Sequence, residues 1–308
     1  MTVYKTQQTV GIKEDLKDII WNISPEETPF LSGMAKTNAS QTLHEWQTDE
    51  LEPPTDDNAA VEGDDAAAGT YNPTKRLSNR TQIFTKTARV SGTNESADAA
   101  GRSSEMAYQL DKKSKEMKRD AEMTIFSSRN AAAGDGVNVP SRLGGAFGEL
   151  TGGEDTINFE LDLTDVAGGL TASALEQTIQ AIYLNGASPD TFFYHASKAS
   201  SVANFGISAN EKQKFSGASE TTFTNMVSIY VDPLGHNIRC LPSRFMQQPT
   251  GLVTRMDVWE CCELRPAFKQ ELAKTGDFES QQLLHEFTLV HKNQDASGKI
   301  VGIDETSP

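Results

Sequence analysis

The sequence predicts an α+β fold in which one long helix links a protruding two-stranded ribbon to an α/β block. Three observations indicate this. Apolar residues recur at helical spacing between positions 94 and 133, and two β-prone runs flank a long polar segment at 41–92. Short helix and strand patterns then alternate from 169 to 262. These patterns point to a chain that contains both helices and strands.

The helix prediction rests on a single apolar face. Its members recur at steps of four, seven, four and four: Met106, Leu110, Met117, Ala121 and Ile125. Such spacing places them on one side of a helix. About 35 residues would span roughly 50 Å. The other face is charged, with predicted i,i+4 pairs Asp111–Lys115 and Lys118–Glu122. The pattern fits an ordinary long core helix. It also fits a rod that carries a plate-like domain and offers its charged face to neighbouring subunits.

Composition narrows the class of protein. The chain has 308 residues, of which 37% are hydrophobic, so parts of it are expected to rely on partners for burial. The net charge of −15 disfavours binding to a phosphate backbone. The sequence contains no run of 18 apolar residues, so no transmembrane helix is predicted. The N-terminus lacks an apolar signal core, so secretion is not predicted. Three cysteines, two of them adjacent, form no disulfide framework, which favours a reducing cytoplasm.

Residues 1–40 are predicted to form an N-terminal arm. An amphipathic helix is indicated over 12–23, and Ser24-Pro25 would end it. Thr28-Pro29 predicts extended backbone, and Phe30-Leu31 forms an apolar anchor. The segment could cap the local core, or it could be an arm that docks elsewhere.

Residues 41–92 are predicted to form the ribbon. Its outgoing strand is 42–48, which contains Trp46, and its return strand is 80–90. Eight acidic and no basic residues lie between 49 and 65, whereas five basic and no acidic residues lie between 75 and 89. A loop this long is usually functional or disordered. This separation of charge favours a ribbon that lies on oppositely charged surfaces of another molecule. The alternative is a loop that is surrounded by solvent.

The remaining segments are shorter. Residues 144–148 form a glycine-rich loop that is interpreted as flexible. Helices are predicted at 170–185 and 197–206, with a polar loop at 207–222. Strands are predicted at 157–161, 191–195, 226–231, 237–241, 252–253, 257–259 and 278–291.

No catalytic, cofactor or metal site is indicated. The chain lacks a phosphate-binding glycine loop, a nucleophile elbow and an HExxH motif. His285 and His291 lie six residues apart, too far for one metal without a third ligand. Cys261 and Cys262 are interpreted as buried thiols, remote from Cys240. We therefore expect no enzymatic activity and no bound cofactor.

The order of these parts resembles the major capsid proteins of tailed phages with the Hong Kong 97-type fold. VGIKEDLKDIIWNISPEETPF, then LHEWQTDEL and NAAVEGDDA, are similar to the arm and extended-loop region of that family. LRPAFKQELAKTGDFESQQLLHEFTLV is similar to its closing segment. The likeness covers nearly the whole chain and is weakest at 195–255.

The resemblance implies four parts: an N-terminal arm at 1–40, an extended loop at 41–92, a peripheral domain at 93–168 and 263–308 that includes a spine helix, and an axial domain at 169–262. It implies a major capsid protein that assembles as hexamers and pentamers in the host cytoplasm, with a portal protein, around double-stranded DNA that it does not bind specifically. Some relatives carry an N-terminal scaffolding segment of about a hundred residues. Only about forty residues precede the ribbon in this chain, so a separate scaffolding protein is expected.

The residues expected to make contacts between subunits follow from the charge pattern. We expect the basic side chains of the return strand to face acids of a neighbouring copy, including those of its helix. The candidate set is Trp46, Arg76, Arg80, Phe84, Lys86, Arg89, Asp111, Glu116 and Asp120. Ribbon attachment through apolar burial alone is the competing hypothesis. For the whole chain the alternatives are an encapsulin-like cargo shell of the same fold, or an enzyme with its site in the α/β block.

Overall fold

The computed structural model describes residues 27–63, 65, 69, 71–97, 104–164, 169–206, 229–247 and 250–303. The predicted helix at 12–23, its stop at Ser24-Pro25 and the predicted loop at 207–222 lie outside these residues.

The described residues contain five α-helices and twelve strands. The helices are α1 Pro29–Gly33, α2 Gly92–Ser96, α3 Glu105–Ile125, α4 Ala172–Leu184 and α5 Ala199–Ala203. The strands are β1 Ala35–Asn38, β2 Leu43–Thr48, β3 Lys75–Arg80, β4 Gln82–Ser91, β5 Phe159–Asp162, β6 Thr191–His195, β7 Ile229–Val231, β8 Asn237–Ser243, β9 Gly251–Thr254, β10 Trp259–Glu271, β11 Phe278–His291 and β12 Ser297–Val301.

A four-stranded sheet of order β1-β10-β11-β4 carries the long helix α3. β10 and β11 form an antiparallel hairpin whose register shifts on both sides of Arg265. Side chains alternate across β4, so Phe84, Ala88 and Val90 are buried while Ile83 is half exposed. Ala88 and Val90 pack against Met106 of α3. The helix thus covers one face of the sheet.

A six-stranded sheet of order β5-β12-β9-β6-β8-β7 carries α4. As predicted, α4 buries Ala174, Leu175, Thr178, Ile179 and Ile182. It ends before Gly186, whose φ of 87° is a left-handed conformation that favours glycine. The predicted turn at 232–235 connects β7 to β8.

The strand β6 joins two hydrophobic cores because its alternate side chains point to opposite faces of the sheet. Phe193 lies in one core with Phe30, Phe126 and Trp259. Phe192 lies in a second core together with α4 residues such as Leu175. The first core contains side chains from both large sheets, so these sheets share one continuous interior.

The predicted helix at 94–133 is wrong in its bounds. The chain forms the short α2, capped by Ser91, and then α3, capped by Ser104. α3 has 21 residues and spans roughly 31 Å. The apolar face is confirmed, since Met106, Met117, Ala121 and Ile125 are buried and Leu110 packs beside them. The side chain of Ser104 accepts a hydrogen bond from the backbone nitrogen of Ala107, and this cap defines the start of α3 just before the apolar face begins at Met106.

One of the two predicted helix pairs forms. Lys115 and Asp111 are 3.2 Å apart. Glu122 does not pair with Lys118, because its buried carboxylate accepts hydrogen bonds from the backbone of Phe30 and Leu31.

The end of the predicted arm belongs to the body of the chain. Pro29 is not in an extended segment but at the first position of α1, where a missing N–H costs nothing. Phe30 is fully buried, which confirms it as an anchor. Residues 35–38 then pair in parallel with β10 as the edge strand β1.

Sheet membership departs from the predicted division of the chain at three strands. Residues 159–162 and 297–301, predicted to belong to the peripheral part, hydrogen-bond into the six-stranded sheet. Strand β10 begins at Trp259, so residues 259–262, predicted to belong to the axial part, lie in the four-stranded sheet. Long-range pairing decides these assignments, and local sequence carries no signal for it.

Candidate inter-subunit ribbon and its anchorage

The ribbon is a hairpin of β2 and β3, and it is shorter than predicted. Leu43 pairs with Arg80 and Thr48 with Lys75 across six residues of each strand. Residues 82–91, predicted as its return strand, instead pair with β11 in the four-stranded sheet. The Thr-rich pattern of 80–90 correctly predicts a strand. The strand pairs with β11, which lies almost 200 residues away, so no local pattern of residues indicates this partner.

One face of the ribbon is charged. Alternation places Glu45, Arg76 and Arg80 on the same side, because Glu45 is opposite Ser78 and the side-chain period is two. Arg76 and Glu45 approach to 3.6 Å with 66% and 42% of their side chains exposed. By the same alternation Lys75 lies on the opposite face, at the far end of the strand, 3.8 Å from Glu50. Exposed pairs like these contribute little to stability, so the face remains available for other contacts.

The opposite face rests on the body. Trp46 is directly across from Leu77, which is 2% exposed. Trp46 is half-buried against a small cluster that contains Ala39, Cys262 and Val290. His44 lies beside it with ring centroids 6.3 Å apart, and burial lowers the pKa of His44 despite the nearby Glu260 carboxylate. The base of the ribbon is therefore packed rather than free in solvent.

Three predicted contact residues lie in β4 and contact their own chain. Phe84 stacks on Phe287 with ring centroids 4.9 Å apart. Lys86 forms an ion pair of 2.6 Å with Asp120 of α3, so two predicted members of the inter-subunit set meet within one chain. Arg89 is exposed, lies 4.3 Å from the ring centroid of Phe278 and donates from Nε to Ser280.

The acids of α3 are accessible. The side chain of Asp111 is 68% exposed and that of Asp120 is 53% exposed. Glu116 accepts from Lys113 at 2.8 Å, and this hydrogen bond lowers the pKa of Glu116. The helix thus presents a face of mixed charge, in which Asp111, Glu116 and Asp120 each already have a basic neighbour.

The base of the ribbon contains a buried asparagine that sequence reasoning missed. Asn79 is fully buried; its Nδ2 donates to the carbonyl oxygens of Leu289 at 2.8 Å and Gly144 at 3.3 Å. Its Oδ1 accepts from the backbone nitrogens of Gly144 at 2.9 Å and Arg80 at 2.8 Å. The ribbon, the glycine-rich loop and β11 are joined by this one side chain. A signal was present, because asparagine is disfavoured in strands and its presence in β3 calls for an explanation.

A second tether follows two residues later. Thr81, the single residue between β3 and β4, is 1% exposed and donates from Oγ1 to Glu286 at 2.9 Å. Glu286 also accepts from Arg265 Nε at 2.6 Å, at the point where the β10–β11 register shifts. The Thr81 backbone nitrogen donates to Thr42.

The glycine-rich loop at 144–148 is a packed junction, so its interpretation as a flexible loop is wrong. All of these residues are buried. A Cβ atom on Gly144 would overlap the carbonyl oxygen of Glu149, and one on Gly145 would overlap that of Ser127. Glycine is required here for close backbone approach rather than for motion.

A groove of about 1060 Å³ lies between the polar segment 47–54, the end of α4 at 184–186 and the turn at 292–295. Its walls carry Asp49, Glu50, Glu52, Lys292 and Asp295. Lys292 is already paired with Glu260 at 2.6 Å. The groove therefore has an acidic lining.

His291 and the three cysteines are buried. His291 is fully buried, stacks on Trp259 and contacts Thr156 O at 2.7 Å and Ser297 Oγ at 2.9 Å; burial lowers the pKa of His291 to about 4. Burial raises the pKa of the Cys261 thiol to about 12 and that of Cys240 to about 11. Within the described ranges no group of three or more His, Cys, Asp or Glu side chains is placed to hold a metal ion. Among the same residues no helix is long and apolar enough to span a membrane.

Known proteins share both the sequence and the fold. The family model described as SU10 major capsid protein matches residues 2–304. The chain is 30% identical over 338 residues to the major capsid protein of Escherichia phage Phieco32, with 96% of each chain covered.

Solved structures resemble it in fold alone. The capsid of a native GTA particle matches with a TM-score of 0.66 and 10% identity, covering 96% of each chain. The SrpI encapsulin of Synechococcus elongatus PCC 7942 matches with a TM-score of 0.58 and 12% identity, covering 97% of this chain and 94% of the encapsulin.

These matches confirm the resemblance to tailed-phage capsids. They extend over almost the whole chain, and the sequence relatives are capsid proteins rather than enzymes or cargo shells. The chain belongs to the SU10 major capsid protein family and is a major capsid protein of a tailed bacteriophage.

Proposed function

We propose that this chain assembles as hexamers and pentamers of a closed shell in which the ribbon of one copy lies across its neighbour. The observation that carries the proposal is the ribbon itself. Two strands alone are marginally stable in water, and here the hairpin packs on its own chain through one face and leaves the other face open. On the outer face Arg76 is exposed, and its ion-pair partner Glu45 is exposed as well. A second copy of the chain is needed to cover this face.

The proposed contacts between copies are made by charged side chains that are exposed in the single chain. Arg76 and Arg80 of the ribbon face acids of the neighbouring copy, and Asp111, Glu116 and Asp120 of α3 provide them. Arg89, exposed on β4, faces the acidic segment 49–63 of the adjoining ribbon. Phe84 and Lys86 support this surface from within the sheet. Trp46 seats the ribbon on its own body.

The parts of the chain take the roles that the capsid resemblance implies. The four-stranded sheet with α3 is the peripheral domain and α3 its spine helix. The six-stranded sheet with α4 is the axial domain, now including β5 and β12. Residues 41–80 form the extended loop.

The partners are a scaffolding protein and a portal protein, and assembly takes place in the host cytoplasm. The net charge of −15 fits a shell that encloses double-stranded DNA without gripping it. The protein is not an enzyme, in keeping with its membership of a structural family.

Electron microscopy tests this assignment. The chain is expressed alone and together with the scaffolding protein of its phage, and the particles are imaged and sized by sedimentation. Closed shells of hexamers and pentamers that require the scaffolding partner are expected. A compact monomer under every assembly condition would contradict the proposal. Closed shells that form without scaffolding and retain a cargo protein would favour the encapsulin-like alternative.

A further inference from the structure

We propose that Asn79 is a positioning residue that sets the direction in which the ribbon leaves the body, and thereby where the ribbon meets a neighbouring copy. The inference rests on the proposed function, in which the ribbon lies across that neighbour.

The direction is decided over three residues. β3 ends at Arg80, β4 begins at Gln82, and Thr81 alone lies between them. Up to Arg80 the chain pairs with β2 of the ribbon, and from Gln82 it pairs with β11 of the four-stranded sheet. Any rotation of the ribbon relative to the sheet must therefore bend the chain at residues 79–81, together with residues 39–42, which join β1 to β2.

The carboxamide of Asn79 is bonded to its full capacity. Its two N–H groups donate to Leu289 and Gly144, and its oxygen accepts from Gly144 and Arg80. Of the side chains of this size, only asparagine supplies two donors and one oxygen that accepts twice. Aspartate would place a carboxylate against two carbonyl oxygens, and leucine would leave the two carbonyls and the Gly144 amide without this partner.

The partners of Asn79 are themselves held in place. Leu289 is 1% exposed in β11, between β10 and β4. Gly144 lies where even a Cβ atom would overlap Glu149. These anchors are 210 and 65 residues from Asn79 in sequence, so the side chain ties the ribbon to two separate parts of the body.

Thr81 supplies the second tether through Glu286. One tether permits rotation about itself, whereas two on either side of Arg80 fix an orientation. Fixing the ribbon before assembly lowers the conformational entropy that is lost when it meets a neighbour.

The test measures ribbon orientation in the unassembled full-length subunit. Spin labels are placed at Gln47→Cys in β2 and at Lys112→Cys in α3, both exposed positions. Cys240, Cys261 and Cys262 are 4%, 0% and 1% exposed, so the reagent selects the introduced thiols. The variants are Asn79→Asp and Asn79→Ser.

The matched control is Thr288→Val. Thr288 is fully buried in β11 beside Leu289, and its hydroxyl has no hydrogen-bond partner among the described residues. Electron–electron distance measurements should give one narrow distribution for the wild type and the control. Asn79→Asp, with an unchanged circular dichroism spectrum, should at least double the width and reduce closed shells about tenfold or more.

An unchanged distance distribution in either folded variant would overturn the proposal, as would a broadened distribution together with wild-type shell yield. Should both variants fail to fold, hydrogen exchange of the wild type decides. The Arg80 and Gly144 amides must then be protected as strongly as those of β11, and fast exchange would refute the tether. Because the distance and exchange measurements use the isolated subunit, they can succeed or fail independently of the contact proposed between neighbouring copies.

Discussion

The carboxylate of Glu122 lies 2.9 Å from the backbone nitrogen of Phe30, 92 residues earlier in the chain, so α3 caps the start of α1. The other oxygen accepts from Leu31 N at 2.7 Å. Thr28, the N-cap residue of α1, makes no side-chain capping bond. Glu122 thus supplies the capping hydrogen bonds that the side chain of Thr28 does not make. These bonds hold the segment that leads from the predicted N-terminal arm into the core.

This arrangement predicts a specific pH dependence of subunit stability. Burial raises the pKa of Glu122 from 4.5 to about 7, against the opposing effect of its two N–H donors. Between these values the folded chain binds a proton that the unfolded chain has lost, so the free energy of unfolding falls as the pH rises. At about 1.4 kcal/mol per pH unit, the contribution of this group changes by about 3 kcal/mol at most.

Urea unfolding of the unassembled subunit at pH 4.5 to 8 measures the effect. Glu122→Gln should flatten the dependence, whereas the exposed control Asp111→Asn should preserve it. Equal slopes for all three proteins would show that Glu122 does not titrate in this range.

Charge reversal at the ribbon should affect assembly rather than folding. In Arg76→Glu plus Arg80→Glu, the subunit should keep its circular dichroism spectrum but form few shells, or shells that dissociate as salt is raised. Each exposed pair contributes only about 0–1 kcal/mol, but the contacts repeat around the shell. They weaken as the Debye length falls from about 10 Å at 0.1 M salt to about 3 Å at 1 M.

Lys86→Met is the matched control for charge. Because Lys86 pairs with Asp120 of its own chain, its loss should lower subunit stability by about 1 kcal/mol or less and leave the salt dependence of assembly unchanged. If the double reversal assembles normally at every salt concentration, apolar burial holds the ribbon. The half-exposed Ile83 of β4 would then be the main candidate for the surface that receives a neighbour's ribbon, since Leu77 and Phe84 are already buried in their own chain.

Substitution of Gly145 by alanine should destabilise the subunit severely, by about 3 kcal/mol or more, because the new Cβ would overlap the Ser127 carbonyl oxygen. Gly276→Ala is the control. Gly276 is exposed, and its nearest neighbour is the movable ring of Phe278 at 3.2 Å. Thermal unfolding compares the two variants, and equal midpoints would refute the packed junction.

No covalent crosslink between subunits is expected. One capsid lineage joins a ribbon lysine to an asparagine of a neighbour with the help of a carboxylate in an apolar pocket. Here Lys75 is 60% exposed opposite the exposed Glu50, and Lys86 is held by Asp120. Mature particles should therefore run as single subunits on a denaturing gel, and a ladder of high-mass bands would contradict this.

The sequence by itself determined the elements whose signal is local. Helix α4 with its buried face, strand β11 and the turn before β8 follow from periodicity and turn residues within short windows. The sequence segments of the N-terminal arm, the extended loop and the closing strand likewise indicate the capsid family. Such a resemblance depends on the order of residues alone and not on which strands pair.

Only the tertiary structure decided which strands pair and which side chains are already engaged. Residues 82–91 have the same β propensity whether they bond to the ribbon or to β11, and Lys86 has the same charge whether its acid lies in a neighbour or in its own α3. Asn79 and Gly144 acquire their roles from a contact across 65 residues. Such contacts depend on the free energy of bringing distant segments together, which no local pattern of residues encodes.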